Sequence, residues 1–168
     1  SDSEPIITLE NVYKIFGPNP RGRAFDLCSA GVGKDEVQRQ TGHVVGMRDI
    51  SFEVQKGEIF VVMGLSGSGK STAIRTVNKL HDVTHGRVLV EGTDVQQLRG
   101  AALQAFRREK TAMVFQHFAL FPHRNVIDNT AYGLKVQGVD KKERHEAAIE
   151  ALAMVGLEAY AFNATRQL

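Results

Sequence analysis

The sequence has no tryptophan, one cysteine and four prolines in 168 residues, and each shortage excludes something. With Cys28 alone there is no internal disulfide, and a lone thiol fits a reducing compartment. Cys28 also lacks neighbours that would make it a metal ligand or a nucleophile. No apolar run approaches the ~20 residues a membrane-spanning helix needs. The opening Ser-Asp-Ser-Glu-Pro is acidic and polar, unlike a secretory leader, so the expectation is a soluble, cytoplasmic chain. That expectation leaves docking on a membrane protein open. An excess of charge of either sign is missing too: Lys and Arg number 21 against 19 Asp and Glu. The net +2 makes no electrostatic case for nucleic acid as a partner.

What is present is an ordinary globular composition, 42% hydrophobic and 24% charged, with length enough for one domain. Ile6 to Phe16 alternates as a strand. Pattern then dissolves from Gly17 to Gly46, where two prolines and repeated glycines mark a long insertion. Lys34 to Gln40 reads as a short helix within it. Arg48 to Val54 alternates again, and the two strands suit an antiparallel pair on the flank of a larger sheet. Glu58 to Met63 (EIFVVM) and Thr111 to Phe115 (TAMVF) are short continuous apolar runs, the pattern of parallel strands buried on both faces. Helices are expected over Ser71–Leu80, Gly100–Glu109 and Val126–Val136, with a strand at Arg87–Glu91. A last helix is opened by a capping box at Asp140 and Glu143 and closed at Gly156. Its apolar face reads Ala147, Ala148, Ala151, Leu152 and Val155.

The chemistry concentrates in Gly64-Leu65-Ser66-Gly67-Ser68-Gly69-Lys70-Ser71, which satisfies G-x-x-x-x-G-K-[ST] in full. Glycines let the backbone curl so that several N–H groups face an anion. Lys70 brings a full charge to the β- and γ-phosphates, and Ser71 offers an oxygen to magnesium. A helix begins at the loop's end, so its free amides and dipole also favour an anion there, and Thr72 is placed to add an α-phosphate contact. The expected ligand is a nucleoside triphosphate, ATP with Mg2+. A chance glycine turn is the bland alternative, and the strand before and helix after the loop speak against it. Gly31-Val32-Gly33-Lys34 looks superficially alike but lacks the first half of the motif, and reads as loop.

GLSGSGKST, followed by MVFQHFALFPHRNVIDN from Met113, resembles the ATP-binding subunits of ABC transporters. The fold this implies is α/β: a P-loop core, an antiparallel β flank and the start of an α-helical subdomain at 117–168. Gln116 falls where that family places a glutamine that touches magnesium or the attacking water and senses the transport subunits. The resemblance also puts Tyr13, in LENVYKIFG, where a ring stacks on adenine. The insertion over 17–46 is similar to that of the glycine betaine/L-proline (quaternary amine) importers, so osmoprotectants are the implied solutes. Partners implied are membrane permease subunits, a second ATPase subunit and, indirectly, a substrate-binding protein. The implied location is the inner face of the cell membrane. Phe118, Leu120, Phe121 and Pro122 form an apolar loop that would receive the permease's coupling helices. Asn125 departs from the family's usual Thr, away from the nucleotide. His117 and His123 read as surface or interface histidines, because no ligand partner stands at metal spacing.

In the same family Gln167-Leu168 is followed by the signature motif, and beyond it by the catalytic carboxylate and switch histidine. The expectation is therefore an N-terminal part of such a domain that binds ATP, hydrolyses it poorly and leaves an apolar sheet edge open. Two other classes stay open. One is a nucleotide-binding module without turnover. The other is a P-loop phosphotransferase, which would need an acceptor pocket and lid arginines and against which the resemblance through Gln116 speaks. Amino-acid or polyamine import is the alternative on solute.

Overall fold

The computed structural model of the chain describes residues 4–115 and 119–167. Its contacts fall into two compact units, 1–103 and 104–168, each with its own core.

The first unit is organised by β1 (Ile7–Phe16), whose Leu9, Val12 and Ile15 are buried. β1 pairs antiparallel with β2 (Val44–Val54), from Ile7 opposite Val54 to Phe16 opposite Val44. On its other edge it pairs antiparallel with β3 (His85–Val90), Ile7 opposite Val90 and Tyr13 opposite His85. A two-residue β4 (Thr93–Asp94) completes the order β2-β1-β3-β4. Irregularities in the β1–β2 register explain why the buried residues recur every third position rather than every second. The expected antiparallel pair is present, and β2 begins four residues before the expected Arg48 because its first residues pair with the end of β1.

The insertion is a folded cap. α1 (Arg23–Ser29) and α2 (Lys34–Thr41) bury Ala24, Cys28 and Val37 against Ile15, with Tyr13, Phe25 and Val45 packed around them. α2 matches the expected helix. α1 escapes pattern reading because seven residues present only two buried positions, four apart. α3 (Lys70–Val77) follows the glycine loop and ends three residues earlier than expected. Lys79 there adopts φ 53°, and its buried ammonium donates to the carbonyls of Gln96 and Leu98 at 3.0 and 2.7 Å. The helix end is thereby tied to the chain after β4.

Two expectations fail. The runs 58–63 and 111–115 form no strands, and their apolar side chains are largely in solvent: Ile59 is 90% and Val114 98% exposed. Among the described residues no strand pairs with either run. Without a partner the backbone groups are satisfied by water, and strand geometry gains nothing. The first run is held at one point, where Phe60 stacks on Phe52 of β2 at 4.7 Å between centroids.

α4 (Gly100–Lys110) matches expectation and runs into the second unit. That unit is helical, as expected. The helix anticipated over Val126–Val136 divides into α5 (Val126–Thr130) and α6 (Tyr132–Val136) at Ala131. α7 (Lys141–Met154) is capped by Asp140, whose carboxylate accepts from the Lys142 amide at 2.9 Å, with the backbone amides of Lys141 and Glu143 also helping to hold its pKa below the ordinary value. Ala148 and Leu152 of the expected face pack with Val126, Ile127, Ala131 and Ala161, while Ala151 and Val155 are exposed.

The phosphate-loop cleft as candidate functional site

The glycine loop is positioned by its contact with β2. At Gly69 the chain turns into α3 with φ 92°, and a Cβ there would lie 2.2 Å from the carbonyl oxygen of Gly46. Only glycine permits both the left-handed conformation and that approach. At the other end a Cβ on Gly64 would lie 2.6 Å from Ser68 Oγ, inside the hollow of the loop. The Lys70 ammonium folds back across this hollow and donates to the carbonyls of Gly64 and Leu65, both at 2.6 Å, and to Ser68 Oγ at 3.2 Å. A cation held by carbonyls at a helix N-terminus, with small residues below it, is a frame ready to exchange those carbonyls for phosphate oxygens.

The loop opens on a cleft of about 670 Å³. One set of walls is apolar: Ile50 and Phe52 of β2, with Phe60 to Met63. The other is polar and basic: Gly67 to Lys70, Gly46, Arg48 and Lys34. No Asp, Glu or His belongs to the described lining. Nor do the described residues contain a cluster of three such side chains able to hold a metal unaided. Magnesium would therefore rest on Ser71, which is exposed at the loop's end, on water and on the phosphates themselves.

The expected residues are partly brought together. Gly64 to Thr72, including Leu65, Ser66 and Ser71, form the continuous loop and first helical turn. Gln116 lies outside the described residues, as do His117 and Phe118. Tyr13 packs edge-on against Phe25 (5.2 Å, 77°) and His85 (6.1 Å, 72°), toward the insertion. Burial there pushes its phenol above the ordinary value, with the Asp49 carboxylate adding to the effect.

Phe16 is an aromatic side chain near the loop that the sequence pattern does not single out, and it is not itself part of the described lining of the cleft. Its ring covers Gly46, so that a Cβ on Gly46 would lie 2.7 Å from Phe16 Cε2. Gly46 in turn abuts the loop at Gly69, which places Phe16 one residue from the phosphate cradle. The Lys14 ammonium sits 4.9 Å above the Phe16 ring, and His81 meets its edge at 5.4 Å. Burial holds His81 below its usual value, helped by the charges of Lys14 and Arg75, so the imidazole is neutral at neutral pH. The signal in the sequence was position: Phe16 ends β1 immediately before the insertion.

A helix that begins at G-x-x-x-x-G-K-S, with Lys70 drawn into the loop, defines a P-loop nucleotide-binding fold. The ABC transporter family pattern matches residues 47–168. The chain is 48% identical over 155 residues to the glycine betaine/proline betaine transport system ATP-binding protein ProV of Escherichia coli, covering 92% of this chain and 38% of that protein. It is 48% identical over 160 residues to the glycine betaine transport ATP-binding protein OpuAA of Bacillus subtilis, covering 95% and 38%. The trimethylamine N-oxide transport system ATP-binding protein TmoW of Ruegeria pomeroyi is 44% identical over 153 residues, covering 91% and 44%. Among solved structures, a dimeric post-hydrolysis state of the ATP-binding cassette MJ0796 bound to ADP and Pi superposes with a TM-score of 0.76 at 26% identity. That superposition covers 96% of this chain and 62% of that one. The chain belongs to the ABC transporter family, and its α/β fold is that of ABC ATP-binding cassettes. It spans about two fifths of the length of the curated relatives it matches. No helix among the described residues is long and apolar enough to cross a membrane.

Proposed function

We propose that this chain is the P-loop part of an ATP-binding subunit that energises import of quaternary amines or related methylated osmolytes. The observation that carries the reading is the cradle itself: Lys70 held across a glycine loop whose Gly69 is pressed against Gly46 of β2. Backbone amides of Gly67 to Ser71 receive the phosphates, Lys70 neutralises the β- and γ-oxygens, and Thr72 reaches the α-phosphate. Mg2+, when bound with ATP at Ser71, supplies charge neutralisation of the transferring group. Gln116 is assigned the magnesium- and water-sensing position that its place in the motif implies. Tyr13 remains the residue proposed for adenine on sequence grounds. Its packing against Phe25 and His85 favours Phe16 as the ring that meets the base.

The solute class rests on relatives whose names specify glycine betaine, proline betaine or trimethylamine N-oxide transport. Permease subunits and a second copy of the ATPase are the partners proposed, with location on the inner membrane face. The dimeric cassette that this chain resembles supports the pairing. ATP binding would join two subunits and hydrolysis would release them, driving the permease between states.

Alone, the chain binds ATP and turns it over slowly, because the cleft's described lining carries no carboxylate or imidazole to orient water. The same observation favours the second reading, a nucleotide-binding module without turnover. Titration of the purified chain and of Lys70→Ala with Mg-ATP, following binding and phosphate release together, tests the proposal. Loss of one charge-assisted contact predicts affinity at least about tenfold weaker in the variant. Equal affinity would remove the cradle from the account, and rapid phosphate release sensitive to Lys70 would remove the claim of slow turnover.

A further inference from the structure

The insertion between β1 and β2 contributes a charged residue to the wall of the phosphate-loop cleft. Lys34, the first residue of α2, lines it together with Arg48 of β2 and Lys70 of the loop. Three cations thus face one cavity whose described lining holds no acidic side chain. Asp49, next to Arg48, is turned elsewhere and accepts from Asn11 Nδ2 at 2.9 Å. Asp35, next to Lys34, is exposed and is not part of that lining.

The three cations differ in how they are held. Lys70 is satisfied by loop carbonyls. Arg48 is committed to the insertion: its guanidinium donates to the Val32 carbonyl and, from Nε, to Cys28 Sγ at 3.3 Å. This tether sets the chain just before Lys34 against β2. Lys34 itself makes no hydrogen bond or ion pair among the described residues, and its side chain is exposed at the cleft. An ammonium on a four-carbon stem, beside a fixed guanidinium and an empty-handed wall, is a point charge awaiting an anion.

We infer that Lys34 contacts a phosphate oxygen of the bound nucleotide, so that the insertion is part of the nucleotide site and is drawn onto the cleft when it fills. This rests on the reading of the cleft as a nucleotide site. It assigns the insertion a direct role in nucleotide binding, with α1 and α2 as a clamp on the cavity. Gly31-Val32-Gly33 supplies the approach: Gly31 has φ 87°, and the Val32 carbonyl is the acceptor that anchors the turn to Arg48.

The test compares the full chain, Lys34→Gln, Lys34→Arg, Lys70→Ala and Lys56→Gln, a charge loss at an exposed site outside the cleft. Mg-ATP affinity is measured at low and at physiological salt, with amide hydrogen exchange over residues 23–41 in the presence and absence of nucleotide. The expected result is about three- to tenfold weaker binding for Lys34→Gln at low salt. The loss should narrow as salt rises, because the contact is exposed. Lys34→Arg should restore affinity, and Lys56→Gln should leave it unchanged. Nucleotide should slow exchange across α1 and α2 in the full chain and fail to do so in Lys34→Gln. Wild-type affinity in Lys34→Gln with Lys70→Ala impaired would overturn this inference alone. A full chain that binds no Mg-ATP would overturn the nucleotide site and the inference with it.

Discussion

β1 and the run from Glu58 to Met63 are both rich in large apolar residues, and the protein treats them oppositely. β1 has a strand on each edge, and its Leu9, Val12 and Ile15 are buried. The later run pairs with nothing among the described residues, and Ile59, Val61 and Met63 stand in solvent. Apolar content alone does not make a strand. A paired neighbour does, because it satisfies the backbone and helps cover the side chains. The glycine loop shows the same rule at short range: its geometry depends on Gly46 of β2, a residue eighteen positions before Gly64.

That contact gives the largest expected effect. Gly69→Ala puts a Cβ into the Gly46 carbonyl and a side chain at φ 92°. We expect a loss of about 2–4 kcal/mol of stability and of measurable ATP binding, read by thermal unfolding and titration. Little change in either would mean that the loop does not lean on β2. The next test strikes the comparison directly. Val88 of β3 is fully buried whereas Val61 is 67% exposed. Val88→Ala should cost about 2–3 kcal/mol in urea unfolding and Val61→Ala under about 0.5. Similar costs would show that the 58–63 run is packed in solution. The smallest effect sharpens the comparison within β1, between its two outward rings. Phe16→Ala should weaken ATP binding by the roughly 1–3 kcal/mol of a lost stacking platform. Tyr13→Ala should lower stability through its Phe25 and His85 contacts while leaving affinity nearly intact. The reverse outcome would return the adenine site to Tyr13.

Much of this was legible in advance for a physical reason. The phosphate loop is written in contiguous residues whose types are dictated by one local job, so Gly64 to Thr72 could be read without neighbours. β1, β3, α2, α4 and α7 were legible because periodicity survives within a single element. The larger failures are non-local. The two apolar runs carry the pattern of buried strands, but burial belongs to a pairing that no window of sequence contains. The helix over 126–136 breaks at Ala131, whose ψ of −2° departs from helical geometry. Phe16 went unremarked because strand alternation cannot say which face meets the loop, and the bulges between β1 and β2 reset that alternation. Lys34 was legible as the start of a short helix, but nothing along the chain reveals that it lines the wall of the cleft.

The central claim is that the hollow between Gly64 and Lys70, backed by Gly46, is where nucleotide binds. Amide hydrogen exchange of the chain with and without Mg-ATP tests it most directly. The account predicts protection strongest over residues 64–72, where backbone amides would donate to phosphate. Protection absent from 64–72 at saturating Mg-ATP, or found only elsewhere, would contradict it.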